Sequence, residues 1–525
     1  MNSFIVYHMV EKKTPRRRAN RRKANNDQAV VDNKPPVWGG VLGGRFKPLN
    51  NDEVALVEET VLHLLETLGL SQAIPSMVEK VCAAGGSVTD DDRLLFPRDL
   101  VLKTVREARR DITLFGQDSK HDIHLSGKRV YMSSGGAAPG VFDIETGLYR
   151  ESTAKDLYDA ARICDAMENI HHFSRSVVAR DIEDNRVMDI NTAYACLMGT
   201  SKHVSVSISD PSHVPDIAEL CYRLAGCEAA FRARPFLTVM VCHVVPPMRF
   251  AEEACETMEA AVLAGFPVQI ISAGQAGATS PATIAGSVVQ AIAETLAGLV
   301  FVRLVEPNAR AIFAPKPLVV DLRTGSMCGG GGEQAILMAA AAQMGRHFDL
   351  PTSSIAGITD AKTLDAQFGM EKTLNVSMSA HAGSNLITQA CGMQSSLLGV
   401  SLEAYVNDND MLGHILRTVR GVEATAENMA EDIIKNVCLG EGHYLGAMDT
   451  YRRMKSDYFY PHLGDRRTPK EWHDDGSRPV GDIARDKARQ LLAVHYPKHI
   501  TDEQDRVLRE AFDIRLSREQ IGRST

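Results

Sequence analysis

"FLTVMVCHVVPPMRFAEEACETMEAAVLAGFPVQIISA", residues 236–273, holds an apolar, β-branched run, a pair of prolines, a helical pattern and then a second apolar run. Short runs that are apolar on both faces suit strands buried within a parallel sheet. The Ala-, Glu- and Leu-bearing stretch between them supplies the crossover that parallel neighbours need. One such unit fits an open doubly wound sheet or a closed barrel equally well, so the count of units along the chain decides the fold.

Upstream lie three more β-like runs, "KRVYMSS" (128–134), "HHFSRSVVA" (171–179) and "HVSVSIS" (203–209). Downstream lie "ARAIFA" (309–314), "SSIAGI" (353–358) and "SNLITQA" (384–390). Helical patterns such as "AKDLYDAARICDAM" and "DIAELCYRLAG" separate them. With the two runs at 236–245 and 267–273, eight strands alternate with helices, which predicts an α/β fold of the (β/α)8 TIM-barrel type. No G-x-G-x-x-G follows the first strand, which disfavours the doubly wound alternative.

The flanks read as helical. "NNDEVALVEETVLHLLETLGL" (50–70) has apolar residues at helical spacing, with Asn50 or Asn51 placed to cap it and Gly69 to end it. Two further short helices open on Pro75 and Pro97. The expected organisation is a basic, disordered tail at 1–40, an N-terminal helical region at 41–120, the barrel at 121–400 and a C-terminal helical extension at 401–525 packed on the barrel.

A chain of 525 residues, 44% hydrophobic and 24% charged, has the composition of a soluble globular protein. Its net charge of −8 argues against nucleic-acid binding by the body of the protein. No apolar run approaches a membrane span, and no apolar segment follows the arginine pairs near the start, so neither membrane insertion nor export is expected. The ten cysteines form no C-x-x-C pair, which suggests reduced thiols in a cytoplasmic protein. The stretch "KKTPRRRANRRK" (12–23) reads either as a solvated tail or as an arm for an oligomer or an anionic partner.

In a barrel, the chemistry sits where the strands end. Those positions here are rich in glycine: "SSGGAAPG" (133–140), "AGQAGATSPAT" (273–283), "APKPLVVDLRTGSMCGGGGEQ" (314–334) and "CGMQSS" (391–396). Each glycine alone is explained by a tight turn; several such loops on one rim suggest a wide, shallow mouth. The stretch "SSIAGITDAKTLDAQFGMEK" (353–372) opens a buried strand into Asp360, Lys362, Asp365, Gln367 and Glu371. Asp360 or Thr363 would cap the helix beginning near Leu364, and Gln367 and Glu371 would share one of its faces. Ser280 with Pro281 reads as another helix start. His171, His172, His203, His243 and His381 lack the spacing of a metal site, and no G-x-S-x-G is present. Lys316 and Lys362 are available for Schiff-base chemistry, or are simply surface lysines.

Taken together, "DLRTGSMCGGGGEQ", "AGITDAKTLDAQFGMEK", "SNLITQACGMQSSLLGVSLEAYVNDNDMLG", "LGEGHYLG" and "YFYPHLGDRRTPKEW" resemble, in order, the trimethylamine methyltransferase family of corrinoid-dependent methyltransferases. "GVFDIETGLYRESTAKDLYDAARICDAMENI" is similar to an earlier segment of that family, and the resemblance runs from about residue 40 to 515. It implies a (β/α)8 barrel and transfer of a methyl group from a methylated amine to the Co(I) centre of a separate corrinoid protein, with no cofactor held permanently and no metal.

Founding members use pyrrolysine, whereas this chain has only the twenty standard residues. The departure points to a quaternary amine, glycine betaine first, with proline betaine, carnitine, butyrobetaine, choline and trimethylamine as alternatives. On this resemblance Asp360, Glu333 and Gln367 are the candidate catalytic groups. Phe313, Phe368 and Asp321 are candidates for the substrate cation, and His243, His203 and Gln275 for a carboxylate. Gly277, Gly329, Gly330 and Gly392 would face the corrinoid. A homo-oligomer is expected. Two other classes stay open: a Schiff-base or lyase barrel, and a non-catalytic quaternary-amine-binding protein.

Overall fold

The computed structural model describes residues 35–524, so the basic stretch at 12–23, and nearly all of the expected tail, lies outside the described residues. Every expected strand is present: β1 Arg129–Met132, β2 Phe173–Ser174, β3 Val204–Val206, β4 Leu237–Cys242, β5 Val268–Ser272, β6 Ala311–Pro315, β7 Ser353–Ile355 and β8 Leu386–Thr388. Neighbours in sequence pair in parallel from β2 through β6, and β7 pairs with β8. Single bridges, Ser133 with His172 and Phe313 with Thr352, join β1 to β2 and β6 to β7. β8 returns to β1 through Leu386 beside Tyr131, so the sheet closes into a barrel without an edge.

Eight helices follow the strands in turn: α1 Ala154–Ala166, α2 Asn185–Gly199, α3 Val214–Ala225, α4 Glu252–Leu263, α5 Ile284–Val305, α6 Gly332–His347, α7 Ala366–Ala382 and α8 Leu402–Arg420. The expected boundary at 400 would assign α8 to the C-terminal extension. Its packing against α7 and α1 makes it the eighth helix of the ring instead. Helix Val480–Val494 then covers α8, and Asp502–Ala511 lies on α3.

α5 corrects the reading that no segment matches a membrane span, since its 22 residues are long and apolar enough by length and composition. Its apolar surface is used within the protein. Helices Asn51–Thr67, Pro75–Ala83 and Arg98–Glu107 all pack on it, and a helix covered on all sides needs no polar face. The first of these begins at an Asn50–Glu53 capping box and stops at Thr67, just short of Gly69.

The N-terminal region is not wholly helical. A hairpin, Asp111–Leu114 with Ile123–Ser126, brings Ile112, Leu114, Ile123 and Leu125 against Tyr131, Ile312 and Leu386. Ile312 and Leu386 stand at the N-terminal half of their strands, and Tyr131 lies beside Leu386, so the hairpin plugs that end of the barrel. Each of the four plugging side chains is buried, worth about 1.5–3 kcal/mol apiece on transfer from water. At the other end the loops build a second tier. Gln275–Ala276 pairs with Leu318–Val319, and Gly140–Phe142 pairs with Gly399–Ser401.

Candidate active site at the mouth of the barrel

Asp360, five residues beyond β7, ties three loops together. Its Oδ1 accepts from the Gly329 N–H at 2.9 Å and the Ser396 hydroxyl at 2.5 Å. Its Oδ2 accepts from the Cys328 thiol at 3.2 Å and the Gly330 N–H at 3.4 Å. Cys328–Gly330 belong to the loop after β6 and Ser396 to the loop after β8. Burial, reinforced by the Asp360 carboxylate, pushes the Cys328 thiol up to about 11, so it remains a donor.

The glycines make this approach possible. A Cβ on Gly329 would lie 2.1 Å from Ile358 Cγ2, and one on Gly330 would lie 2.2 Å from the Glu371 carboxyl group. Glu371 completes the arrangement. Its Oε2 accepts from Thr359 Oγ1 at 2.6 Å and Asp360 N at 2.8 Å, and its Oε1 accepts from Gln367 Nε2 at 2.9 Å. The expected shared face of Gln367 and Glu371 is therefore present. The helix cap is Asp365, which accepts from Phe368 N at 3.1 Å, rather than Asp360 or Thr363. Likewise α5 begins at Ile284, and Ser280 bonds Ser287 at 2.6 Å instead of capping it.

Of the catalytic candidates, Asp360 has its acceptor positions engaged by the protein, Gln367 is exposed and tied to Glu371, and Glu333 is exposed in the first turn of α6. Lys362 is also exposed and donates to Asp360 O at 2.6 Å.

Several substrate candidates prove to lie away from the mouth. Phe313 faces α6 and sits edge-on to Phe348, with ring centroids 6.3 Å apart. Phe368 is buried against Ala361 and Ala404, with Lys372 Nζ 4.8 Å from its ring centre. His243 is walled in between β5 and α5, its ring nitrogens 3.1 Å from Ile271 O and 2.9 Å from Glu294 O. Burial lowers it to about 4. His203 lies at the plugged end, bonded to Phe115 O and Thr238 Oγ1, both at 2.8 Å, and burial lowers it to about 3. Asp321 is held by Arg323 at 2.7 Å, and Gln275 is half-buried in the tier above β5.

Among the glycines expected to face the corrinoid, Gly277 is exposed. Gly329 and Gly330 are buried against their own chain, and a Cβ on Gly392 would meet the Tyr405 ring at 2.2 Å. For Phe313 and His243 the cause is common: where both faces of a strand are buried, alternation cannot reveal which parity points inward.

The inward parity carries polar groups. Lys316, one residue past β6, donates to Gln269 Oε1 and Thr388 Oγ1, both at 2.9 Å. Burial lowers this amine to about 7. His172 is held by Ser133 Oγ at 2.7 Å and Ser205 Oγ at 2.9 Å, and stacks on His203 with ring centres 5.4 Å apart. Ser174 Oγ approaches Met240 Sδ at 3.1 Å, and Cys242 is exposed at the end of β4. The signal for these groups was present, since Gln269 interrupts an otherwise apolar run and Lys316 immediately follows one. Among the described residues, no cluster of His, Cys, Asp or Glu is arranged to hold a metal ion.

A closed barrel plugged at one end, with stapled loops and a polar lumen at the other, is the framework of a barrel enzyme that works at the C-terminal ends of its strands. The family model "Trimethylamine methyltransferase (MTTB)" matches residues 14–520, and the chain belongs to that family of methyltransferases. It is similar to trimethylamine methyltransferase MttB of Desulfitobacterium hafniense (strain DSM 10664 / DCB-2), 28% identical over 464 residues that cover 88% of this chain and 92% of that one. It is also similar to the glycine betaine methyltransferase of Desulfitobacterium hafniense (strain Y51), 26% identical over 467 residues, 89% of this chain and 96% of that one. Among solved structures, the Methanosarcina barkeri monomethylamine methyltransferase shares the fold with a TM-score of 0.51 and 12% identity, over 85% of this chain and 89% of that one.

Proposed function

We propose that the chain transfers a methyl group from a quaternary amine, glycine betaine first, to the Co(I) centre of a separate corrinoid protein. The observation that carries this reading is membership of a methylamine methyltransferase family by a chain built only from standard residues. A quaternary nitrogen is already positive and departs as a neutral tertiary amine, so it requires no activating group on the enzyme. The C–N bond breaks with its electron pair left on nitrogen, and the methyl group passes to the cobalt as the Co–C bond forms. Glycine betaine leaves as dimethylglycine. The protein's part is positioning and exclusion of water at the mouth. The reading is tested with methyl-labelled glycine betaine and a reduced corrinoid protein: dimethylglycine and methylated cobalt should appear in equal amounts, and dimethylglycine without methylated cobalt would refute it.

The reaction suits the cytoplasm, where a Co(I) acceptor and the ten free cysteines stay reduced. We further propose a homo-oligomer. Helices Glu431–Leu439 and Met448–Ser456 bury none of their residues, and Val422, Leu439 and Leu445 are 86%, 90% and 89% exposed. Helices this short need tertiary packing, and a second copy of the chain supplies it permanently. A corrinoid protein that leaves after each transfer does not. Light scattering should give a multiple of 57.3 kDa, reduced by Leu439→Glu with Leu445→Glu; a wild-type monomer would refute the proposal.

A further inference from the structure

A cavity beside the mouth is built from residues that the lumen does not use. It has a volume of about 240 Å³ and lies between the loop after β7, the second tier, the first turn of α8 and the helix Val480–Val494. Phe142, Lys362, Gln394, Ser401, Glu403 and Arg485 line it. Four of these keep a buried polar atom without a hydrogen-bond partner: Gln394 Oε1, Ser401 Oγ, Glu403 Oε2 and Arg485 Nε. Gln394, Ser401 and Glu403 are only 1%, 1% and 5% exposed, so bulk solvent does not serve them. Orphaned polar atoms of this kind are rare, and four around one cavity make its wall complementary to a polar ligand.

The charges around the cavity are loosely paired. Glu403 Oε1 lies 3.5 Å from Arg485 Nη2, and the same guanidinium reaches Asp482 Oδ1 at 3.7 Å. Both separations are longer than a hydrogen bond of ordinary length. Burial raises the Glu403 carboxyl above its usual range in spite of Arg485. Lys362 is exposed and gives one hydrogen to Asp360 O at 2.6 Å, which leaves two for another acceptor. The buried side thus offers two acceptors and a hydroxyl, and the exposed side offers two cationic donors.

We propose that this cavity binds a small zwitterionic amino acid whose nitrogen carries at least one hydrogen. The ammonium group donates to Glu403 and Gln394, with the Ser401 hydroxyl beside them, and the carboxylate accepts from Arg485 and Lys362. The volume is below the roughly 300–1,000 Å³ of sites for drug-sized molecules, which suits a ligand of a few heavy atoms. Charge-assisted bonds at both ends give selectivity. N,N-dimethylglycine belongs to this class, whereas glycine betaine has no N–H for the acceptors. Lys362 joins the cavity to the Asp360 staple through Asp360 O, so a bound ligand steadies the loop after β7 without entering the lumen. The site does not depend on the proposed methyl transfer and is tested by binding alone.

Calorimetry on the whole protein, without corrinoid, compares N,N-dimethylglycine with 3-methylbutanoate, which has the same shape and carboxylate but a CH group in place of the charged N–H. N,N-dimethylglycine should bind about 10- to 100-fold more tightly, the worth of one or two charge-assisted hydrogen bonds. Glu403→Gln should erase most of that preference, and Arg485→Met should weaken both ligands. Gly481→Leu places a side chain in the cavity and keeps every polar group. A Cβ there meets only Leu364, at 3.7 Å, so this variant should fold and lose both ligands. Thermal melting confirms that each variant is folded. Hydrogen exchange in peptides spanning 360–366 and 480–486 should slow when N,N-dimethylglycine is added to the wild type, and should not change in Gly481→Leu. Equal affinity for 3-methylbutanoate, or an affinity unaltered in Gly481→Leu, would overturn the assignment. No binding of N,N-dimethylglycine would overturn it too, and would leave water to serve the four atoms.

Discussion

Asp360→Asn distinguishes a carboxylate that holds loops from one that acts on substrate. Asparagine keeps the shape and one carbonyl oxygen, which would stay with the short contacts from Gly329 N and Ser396 Oγ, at 2.9 and 2.5 Å. Its NH2 group would then face two donors, the Gly330 N–H and the Cys328 thiol. The short bonds lose their charge assistance, about 1 kcal/mol each. An unpaired Gly330 N–H adds about 1–3 kcal/mol, discounted because the carboxylate is only half-buried. The loops should therefore lose roughly 2–4 kcal/mol of anchoring, about a 30- to 1,000-fold rise in local opening. Hydrogen exchange followed by mass spectrometry reads this in peptides spanning 326–332 and 393–398. Methyl transfer should fall in step, and Ser396→Ala should reproduce part of both effects. Unchanged exchange in Asp360→Asn, together with abolished transfer, would refute the staple and return Asp360 to the substrate.

The Lys372–Asp408 pair is fully buried at 2.7 Å, and Lys372→Met would leave a carboxylate that burial already pushes above its usual range. That variant should lose about 3–5 kcal/mol in chemical denaturation, and adding Asp408→Leu should restore most of it. Phe313→Leu and His243→Asn should lower the melting temperature with the affinity for glycine betaine unchanged, because both side chains lie outside the lumen.

The barrel was legible because its eight strands are short, largely buried on both faces and separated by helical patterns, and each expected run contains an observed strand. The same property hid the site. Ile312, Phe313 and Ala314 are all apolar, and nothing in the run reveals that Phe313 faces α6. Polar residues within such runs, Gln269 above all, marked the inward parity. The glycine loop at 329–330 suggested an open surface, yet Asp360, Ile358 and Glu371 occupy the space beside it. Contacts between residues this close in sequence but carried on two different loops depend on barrel closure, which local patterning does not encode. The hairpin at 111–126 was overlooked because strands of four residues, flanked by charge, resemble a loop.

The most direct measurement offers purified protein reduced cob(I)alamin with glycine betaine, trimethylamine, proline betaine, carnitine and choline in turn, and follows the cobalt spectrum. The account predicts conversion to methylcobalamin with a quaternary amine, glycine betaine first, and none with trimethylamine. Conversion with trimethylamine but not with any quaternary amine would contradict it.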